Sequence, residues 1–415
     1  MREGYDIVIL GLSVTSSWGN GHATTYRGLI RALAGRGYRV LFLERNMAWR
    51  AGNRDEPQPP GAHTEIYESF DDLVSHFECE VREAGLVIVG SFVPEGARVG
   101  EWVQSVAEGN TAFYDIDTPI TLAKLVEGSS EYISPEQIRR YHIYFSFTGG
   151  PVLRLIERRY GSPMARPLYC AVNVEDYRPM AGRLRWDLGY LGTYSDDRQS
   201  ALDDLLLRPS QEWPEGRFSV VGPMYPESIQ WPANVDRMNH LSPCEHPGFY
   251  GSQRFTLNIA RAAMKRAGYS PSVRLFEAGA CAVPVISDWW EGLDSILEPG
   301  REILISENGD DTSRFLRDYT EAQRLAIGVA ARQRILAQHT PAQRALELES
   351  YWKAAHDHFS AHSPRRYRRR GQGAGRLVTG MAPEPPRATP GKKTHGTAED
   401  HANRGGVHEP AGASR

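Results

Sequence analysis

The chain has 415 residues, 40% of them hydrophobic and 24% charged, with a formal net charge of −3. That length is enough for two packed domains, and the composition is that of an ordinary soluble globular protein. The near balance of charge argues against a dedicated nucleic-acid binder, whose domain would be strongly basic.

Cys79, Cys170, Cys244 and Cys281 show no paired C-x-x-C spacing, so neither a zinc site nor a disulfide framework is expected, and the thiols read as reduced cytosolic ones. No apolar run approaches the roughly 18 residues that a membrane span needs. The opening MREGYDIVILGL sets Glu3 and Asp6 beside a short apolar run, which suits a first strand better than a signal peptide.

Residues 6–10 (DIVIL) are a continuous apolar run before Gly11, as in a strand buried on both faces of a parallel sheet. Residues 24–34 carry apolar side chains at helical spacing, Gly35-Arg36-Gly37 ends that helix, and residues 38–43 (YRVLFL) make a second strand. Strands at 86–89 (LVIV), 111–116 (TAFYDI) and 141–147 (YHIYFSF) continue the alternation. Residues 167–179 (PLYCAVNVEDYRP) read as a linker, and the alternation then restarts with strands at 188–191, 217–221 and 283–287 and a helix near 200–207. Two such stretches predict an α/β protein of two doubly wound, Rossmann-like domains facing across a cleft, with ligands at the carboxyl ends of the strands.

The expected boundaries are 1–170 and 171–340, then a helix at 341–362 that packs back across both domains. From residue 363 the chain has almost no aliphatic side chains and is expected to be disordered.

Gly19, Asn20, Gly21 and His22 lie between the first strand and the first helix, and Glu44 closes the second strand. One reading is a dinucleotide loop with Glu44 on a ribose. However, that fingerprint needs glycine at Thr24, and residues 11–19 are long for a tight strand-to-helix turn. The other reading brings the glycine backbone close to a substrate at the helix start, with His22 at the cleft as proton shuttle or phosphate donor. A flexible connector with a solvated histidine fits the same residues.

Glu277 sits between Leu275-Phe276 and Ala278-Gly279-Ala280, where burying an unpaired carboxylate would cost about 3 to 5 kcal/mol. Ser270-Pro271 reads as an N-cap and first helical residue, which places Ser270, Arg274 and Glu277 on one face of a helix reaching Cys281. The N–H groups of Ser272 and Val273 are then free to take a phosphate. Helix end, Arg274 charge and Glu277 acceptor together describe a nucleoside-diphosphate pocket. An Arg274–Glu277 ion pair on a solvated face is the competing arrangement, worth about 0.2 to 0.5 kcal/mol.

With its flanks, RLFEAGACAVPVIS resembles the segment of GT-B glycosyltransferases in which a glutamate before A-x-A-C-G-x-P-V contacts the donor ribose. VNVEDYRP resembles the family's linker, LGYLGTYSDDR the first strand and phosphate loop of its donor domain, FSVVGP its second strand, and DSILEPGREILI the stretch after the pocket. The resemblance spans residues 6–352 and is closest to the group 1, CgeB-like branch. It implies an N-terminal acceptor domain, a C-terminal donor domain, and transfer of a sugar from a nucleoside diphosphate sugar to an acceptor it does not identify. It further implies retention of anomeric configuration without a metal, and no cofactor beside the nucleotide-sugar co-substrate.

The donor site so implied comprises Gly192, Thr193, Arg198, Ser272, Arg274 and Glu277, with Asp117 and His22 as catalytic candidates beside the acceptor-side loop of Gly19, Asn20 and Gly21. Three positions depart from the family pattern. Tyr269 stands where another glutamate precedes Glu277 by eight residues, Ala282 replaces a glycine, and a strand that often ends in His-Asp ends in Asp115-Ile116-Asp117.

Asp115 and Asp117 also resemble the D-x-D metal motif of the other major transferase fold, since alternation puts both carboxylates on one face of a strand. Asn258, Arg261 and Lys265 are at helical spacing and suit either phosphate or solvent. Trp18, Trp49 and Tyr26 suit acceptor stacking or a core. His358 and His362 are four apart but lack a third ligand.

The basic run bounded by Arg365 and Arg370 suits weak contact with an anionic membrane surface or nucleic acid. The expected location is the cytoplasm, peripheral to the inner membrane surface through that run. A sugar-nucleotide isomerase, a phosphorylase and a non-catalytic sugar-nucleotide binder remain open on the same fold, Tyr269 being the residue that favours the last.

Overall fold

The computed structural model describes residues 4–17 and 21–362. Trp18, Gly19, Asn20, the Trp49 and His362 side chains, and the run from Arg365 to Arg370 lie outside the described residues.

Aliphatic runs without polar alternation have to be covered on both faces, and the chain does this twice. The first sheet holds β1 (Ile7–Gly11), β2 (Val40–Arg45), β3 (His63–Tyr67), β4 (Leu86–Gly90), β5 (Asn110–Asp115), β6 (Ile143–Ser146) and β7 (Ala165–Pro167). Its strands are parallel, in the order β3-β2-β1-β4-β5-β6-β7. The second holds β8 (Trp186–Leu191), β9 (Phe218–Val221), β10 (Val235–Met238), β11 (Gln253–Asn258), β12 (Val285–Ser287) and β13 (Leu304–Ile305), parallel in the order β10-β9-β8-β11-β12-β13. In each sheet the strand order reverses beside the first strand, between β1 and β4 and between β8 and β11. This opens a crevice at the carboxyl ends of those strands.

One face of the first sheet is covered by residues such as Leu73, Val99, Val103 and Ile156 from the helices that follow β3, β4 and β6. The other face is covered by the Gly21–Gly35 helix and by the last helix, Pro341–His362, whose Ala345, Leu348 and Ala355 join Tyr26, Leu29 and Leu33 in one core. The helix before it, Glu321–Gln338, lays Ala331 and Ile335 against Leu275 and Phe276 of the second half. Among the described residues no helix is long and apolar enough to cross a membrane.

The central strand β11 (QRFTLN) has no aliphatic run to announce it. Its polar side chains bond inside the fold, Gln253 donating to the Phe249 carbonyl at 3.0 Å and Asn258 to Ser287 Oγ at 2.9 Å. Asn258 therefore ends a strand and does not share a helix with Arg261 and Lys265. Likewise the helix expected near 200–207 extends over Asp196–Leu202, a π-helical turn Asp203–Leu207 and Arg208–Glu212.

Candidate active site

β8 ends at Leu191, and Gly192 and Thr193 carry the chain towards the Asp196–Leu202 helix. The turn is tight. A Cβ on Gly192 would lie 2.8 Å from Arg274 Nη2, and one on Gly222 would lie 2.0 Å from the Gly192 carbonyl oxygen. Arg274, 8% exposed, crosses the crevice between β8 and β11. Its Nε donates to the Leu191 carbonyl at 2.7 Å, its Nη1 to Asn258 Oδ1 at 2.8 Å, and its guanidinium carbon lies 4.8 Å from the Tyr190 ring centroid.

Arg198 donates to the Thr193 carbonyl and keeps a buried Nε with no partner among the described residues. Burial, and then the like charges of Arg274 and Arg261, hold its pKa below the ordinary arginine value. Among the described residues none of Arg198, Arg261 and Arg274 forms a salt bridge with a carboxylate. Lys265 differs, pairing with the buried Asp288 at 3.1 Å.

The helix carrying Glu277 runs Val273–Ala280 with Ser272 as N-cap, so it starts two residues later than Ser270-Pro271 suggests. Ser270 is drawn away to the first half, its hydroxyl 3.0 Å from Thr148 Oγ1. The Ser272 hydroxyl donates to Asn258 Oδ1 at 2.7 Å, so no side chain caps the leading N–H groups of the helix. Glu277, 6% exposed, makes no ion pair with Arg274. Its Oε1 accepts from the Tyr177 hydroxyl at 3.1 Å and its Oε2 from the Tyr250 hydroxyl at 2.8 Å, with His246 Nδ1 3.8 Å from Oε1. Burial pushes this carboxyl up, but His246, the Tyr250 hydroxyl and Arg274 outweigh it and hold the pKa below the usual value.

In the first half, Asp115 ends β5 and Asp117 is the N-cap of the Thr118–Glu127 helix. Asp115 is fully buried and accepts from the Tyr144 hydroxyl and from Thr121 Oγ1 at 2.7 Å. Burial raises its pKa to about 6 against the pull of those two donors. Asp117 keeps a buried Oδ1 with no partner among the described residues; burial raises its pKa while Arg261 of the second half lowers it. The two aspartates therefore do different work, one as a core acceptor and the other opposite Arg261, and the D-x-D spacing does not make them a pair. Among the described residues no three His, Cys, Asp or Glu side chains cluster at metal-binding spacing.

His22 lies in the first turn of the Gly21–Gly35 helix, half-buried, its ring 5.8 Å from Phe92. Gly21 opens that helix. Tyr26 is not an acceptor platform, being wholly buried against Phe42 and Tyr114 at ring distances of 5.2 and 5.8 Å. Glu44 likewise has its acceptor sites taken up by its own chain, which leaves none for a ribose. It is fully buried and accepts from Ser13 Oγ, Thr15 Oγ1, and the Val14 and Thr15 N–H groups at 2.7 to 3.0 Å, which pins residues 13–15 over the end of β1.

Tyr269, at φ 47°, is a wedge between the halves. Its ring fills the space beside Gly150 and Gly292, where a Cβ on either would come within 2.3 Å of it. Its carbonyl accepts from Gly149 N–H at 2.9 Å.

Tyr177, Tyr250 and His246 were not foreseen. The one local signal is the i, i+4 spacing of His246 and Tyr250, which turns both to one face of the short His246–Gly251 helix.

Residues 198–350 match a family model described as glycosyl transferase-like. No curated protein is detectably similar to the chain in sequence. Among solved structures, the sucrose-phosphate synthase of Thermosynechococcus elongatus superposes with a TM-score of 0.62 at 14% identity, covering 86% of this chain and 100% of its own. HepE of Anabaena in complex with UDP-glucose gives 0.59 at 11%, covering 84% and 99%. An alpha-glucosyltransferase in complex with UDP-glucose and DNA containing an abasic site gives 0.61 at 11%, also covering 84% and 99%. The architecture shared with them is the GT-B fold: two parallel, doubly wound sheets with alternating helices.

Proposed function

We propose that this chain of GT-B fold, glycosyl transferase-like over residues 198–350, moves a sugar from a nucleoside diphosphate sugar to an acceptor hydroxyl. A UDP-sugar is the first donor to consider, since HepE and the alpha-glucosyltransferase were each solved with UDP-glucose. The order of its motifs supports the group 1, CgeB-like branch within this reading.

The observation that carries this reading is the set of three guanidinium groups, Arg198, Arg261 and Arg274, gathered where Gly192 and Thr193 leave β8 and, among the described residues, without a direct salt bridge, although Asp197, Asp117 and Glu277 lie close enough to feel them. Like charges held together in a partly buried site call for an anion, and a diphosphate brings charge and acceptor oxygens at once. The uncapped start of the Val273–Ala280 helix adds N–H donors aimed the same way. As the sugar departs, negative charge grows on the diphosphate, and each well-placed donor stabilises that stage by about 3 to 4 kcal/mol. The reading thus gives the leaving group to arginines and helix rather than to a cation.

Glu277 accepts two hydrogen bonds and has lone pairs left for ribose hydroxyls. On the acceptor side, Asp117 and His22 orient the incoming hydroxyl or the donor sugar through an oxocarbenium-like stage, with retention of anomeric configuration. The contacts of Tyr269 with Gly149 and of Ser270 with Thr148 close the two halves beside the site and limit the entry of water. The working location on this reading is the cytoplasm.

The test is calorimetry and thermal shift with UDP, GDP and ADP, followed by turnover of the corresponding sugars. UDP at a hundred times its dissociation constant should stabilise the protein by about 2.7 kcal/mol. Glu277→Ala should lose most of that gain. If no nucleoside diphosphate binds, the reading is wrong.

A further inference from the structure

Glu277 is braced from three directions by residues that its own helix does not supply. Tyr250 and His246 come from the short helix before β11, and Tyr177 comes from the segment between β7 and β8 that joins the two sheets. Tyr177 is buried, and its oxygen lies 3.1 Å from Glu277 Oε1 and 3.3 Å from His246 Nδ1. A phenol has one proton to give. It cannot serve both acceptors.

We propose that Tyr177 is a positioning residue of the nucleotide site, its hydroxyl proton directed to Glu277 or to His246 according to whether the His246 ring carries a second proton. The inference rests on the nucleotide-sugar reading of the site. His246 Nε2 faces the Leu241 carbonyl at 3.3 Å, which fixes a proton on that nitrogen in either state. When the ring is charged, Nδ1–H donates to the Tyr177 oxygen, and the tyrosine proton must go to Glu277. Glu277 then carries two phenol donors beside a cation. When the ring is neutral, Nδ1 is an acceptor and the Tyr177 hydroxyl turns to it. Glu277 keeps only Tyr250, and Oε1 is open to a ligand hydroxyl.

The charged and titratable groups around His246 are few. Glu277, with Arg274 behind it, faces His246 from one helix, and Cys281 closes that helix near Tyr177. Tyr177 and Asp176 come from the linking segment, Tyr250 and Glu245 from its own element, and His240 lies beside Glu245. Burial disfavours the charged ring, but Glu277 outweighs it and raises the His246 pKa above its ordinary value, so the exchange falls at a higher pH than for a free imidazole. Below that point the ligand hydroxyl competes with Tyr177; above it the competition ends.

The expected behaviour is therefore a gain in affinity for ribose hydroxyls as pH rises. Calorimetry from pH 6 to pH 8.5 with UDP and with 2′,3′-dideoxy-UDP isolates it, because changes in the diphosphate's own charge affect both ligands alike. In the wild-type full chain the ratio of the two affinities should grow about three- to tenfold across this range, the worth of one hydrogen bond. Tyr177→Phe keeps the ring and removes the shared proton, so its ratio should be flat and high; His246→Gln should also be flat.

UDP should in turn lower the His246 titration midpoint seen by NMR, since the coupling is reciprocal. A constant ratio in the wild type, or a pH-dependent ratio that survives in Tyr177→Phe, overturns the role of Tyr177 alone. If neither ligand binds at any pH, the nucleotide reading falls, and this inference with it.

Discussion

At the carboxyl end of β2, Glu44 accepts four hydrogen bonds, all from residues 13–15 of its own half. In the second half, Glu277 accepts two, both from tyrosine hydroxyls. A carboxylate has about four acceptor sites, so Glu44 is saturated by its own chain while Glu277 keeps capacity in reserve. Both are buried and both directly follow an apolar pair, Leu43 after Phe42 and Phe276 after Leu275, so burial does not distinguish them. The count of donors does. One doubly wound half uses its carboxylate to close a loop over the end of its first strand, and the other holds a carboxylate beside Arg274, which forms no salt bridge among the described residues.

The largest effect that this contrast predicts is at Glu44. Glu44→Ala strands two N–H groups and two hydroxyls, each costing about 1 to 3 kcal/mol if it stays buried and unpaired. Denaturant unfolding should show a loss of about 3 kcal/mol or more. UDP affinity of the folded protein should stay within about twofold, well under the fold-change of one hydrogen bond to a charged group. Lost UDP binding at unchanged stability would put Glu44 in a ligand site after all.

Arg198→Ala should give the reverse pattern. Among the described residues its Nε has no partner and its one bond is to the Thr193 carbonyl, so stability should change by less than about 1 kcal/mol. UDP affinity should fall by about 2 kcal/mol, near thirtyfold, and the deficit should shrink as salt is raised. Equal UDP affinity in the variant would remove the diphosphate from this turn.

Much of the fold is legible in the sequence because central strands covered on both faces have to be continuous apolar runs. DIVIL, YRVLFL, LVIV and TAFYDI mark β1, β2, β4 and β5 to within two residues. β10 and β11 escape that rule because several of their polar side chains bond to distant partners, as when Trp186 Nε1 donates to Asp236 on β10 at 2.7 Å and Asn258 on β11 to Ser287 Oγ at 2.9 Å. The same limit misplaced the start of the Glu277 helix. Ser270 looks like a cap only while its local donors are considered, and its hydroxyl in fact meets Thr148, 122 positions earlier. Arg274 and Glu277 stood out because charge inside an aliphatic helix needs a reason. Their supports come from four separate segments and leave no periodic trace.

Tyr269 belongs to both halves and tests how far they act separately. Its ring, not its hydroxyl, fills the slot beside Gly150 and Gly292. Tyr269→Phe should therefore be neutral. Tyr269→Ala should cost about 1 to 2 kcal/mol of stability, less than a fully buried ring would, because the residue is half-buried. A larger loss in Tyr269→Phe than in Tyr269→Ala would mean that the hydroxyl carries the contact.

The smallest effect expected is at Asp115, and its sign is what matters. Asp115 is buried as Glu277 is, but its side-chain partners are Tyr144 and Thr121, with no cation beside it among the described residues, so burial raises its pKa to about 6. The unfolded value is about 3.9. Between those values the native chain binds the extra proton, so Asp115 favours folding in acid and costs stability as pH climbs through 6. Asp115→Asn removes the charge while keeping an acceptor for Tyr144, and should be more stable than wild type by about 1 kcal/mol at pH 8. The gap should close by pH 4.5.

Glu277 runs the other way. Its lowered pKa contributes stability above the unfolded glutamate value, and that stability is lost as pH falls through the folded one. Glu277→Gln should accordingly be less stable than wild type at pH 8, with the gap closing in acid. Urea midpoints of the two variants across pH should therefore converge on wild type from opposite sides. Convergence from the same side would mean that the neighbouring cations do not set the difference between the halves.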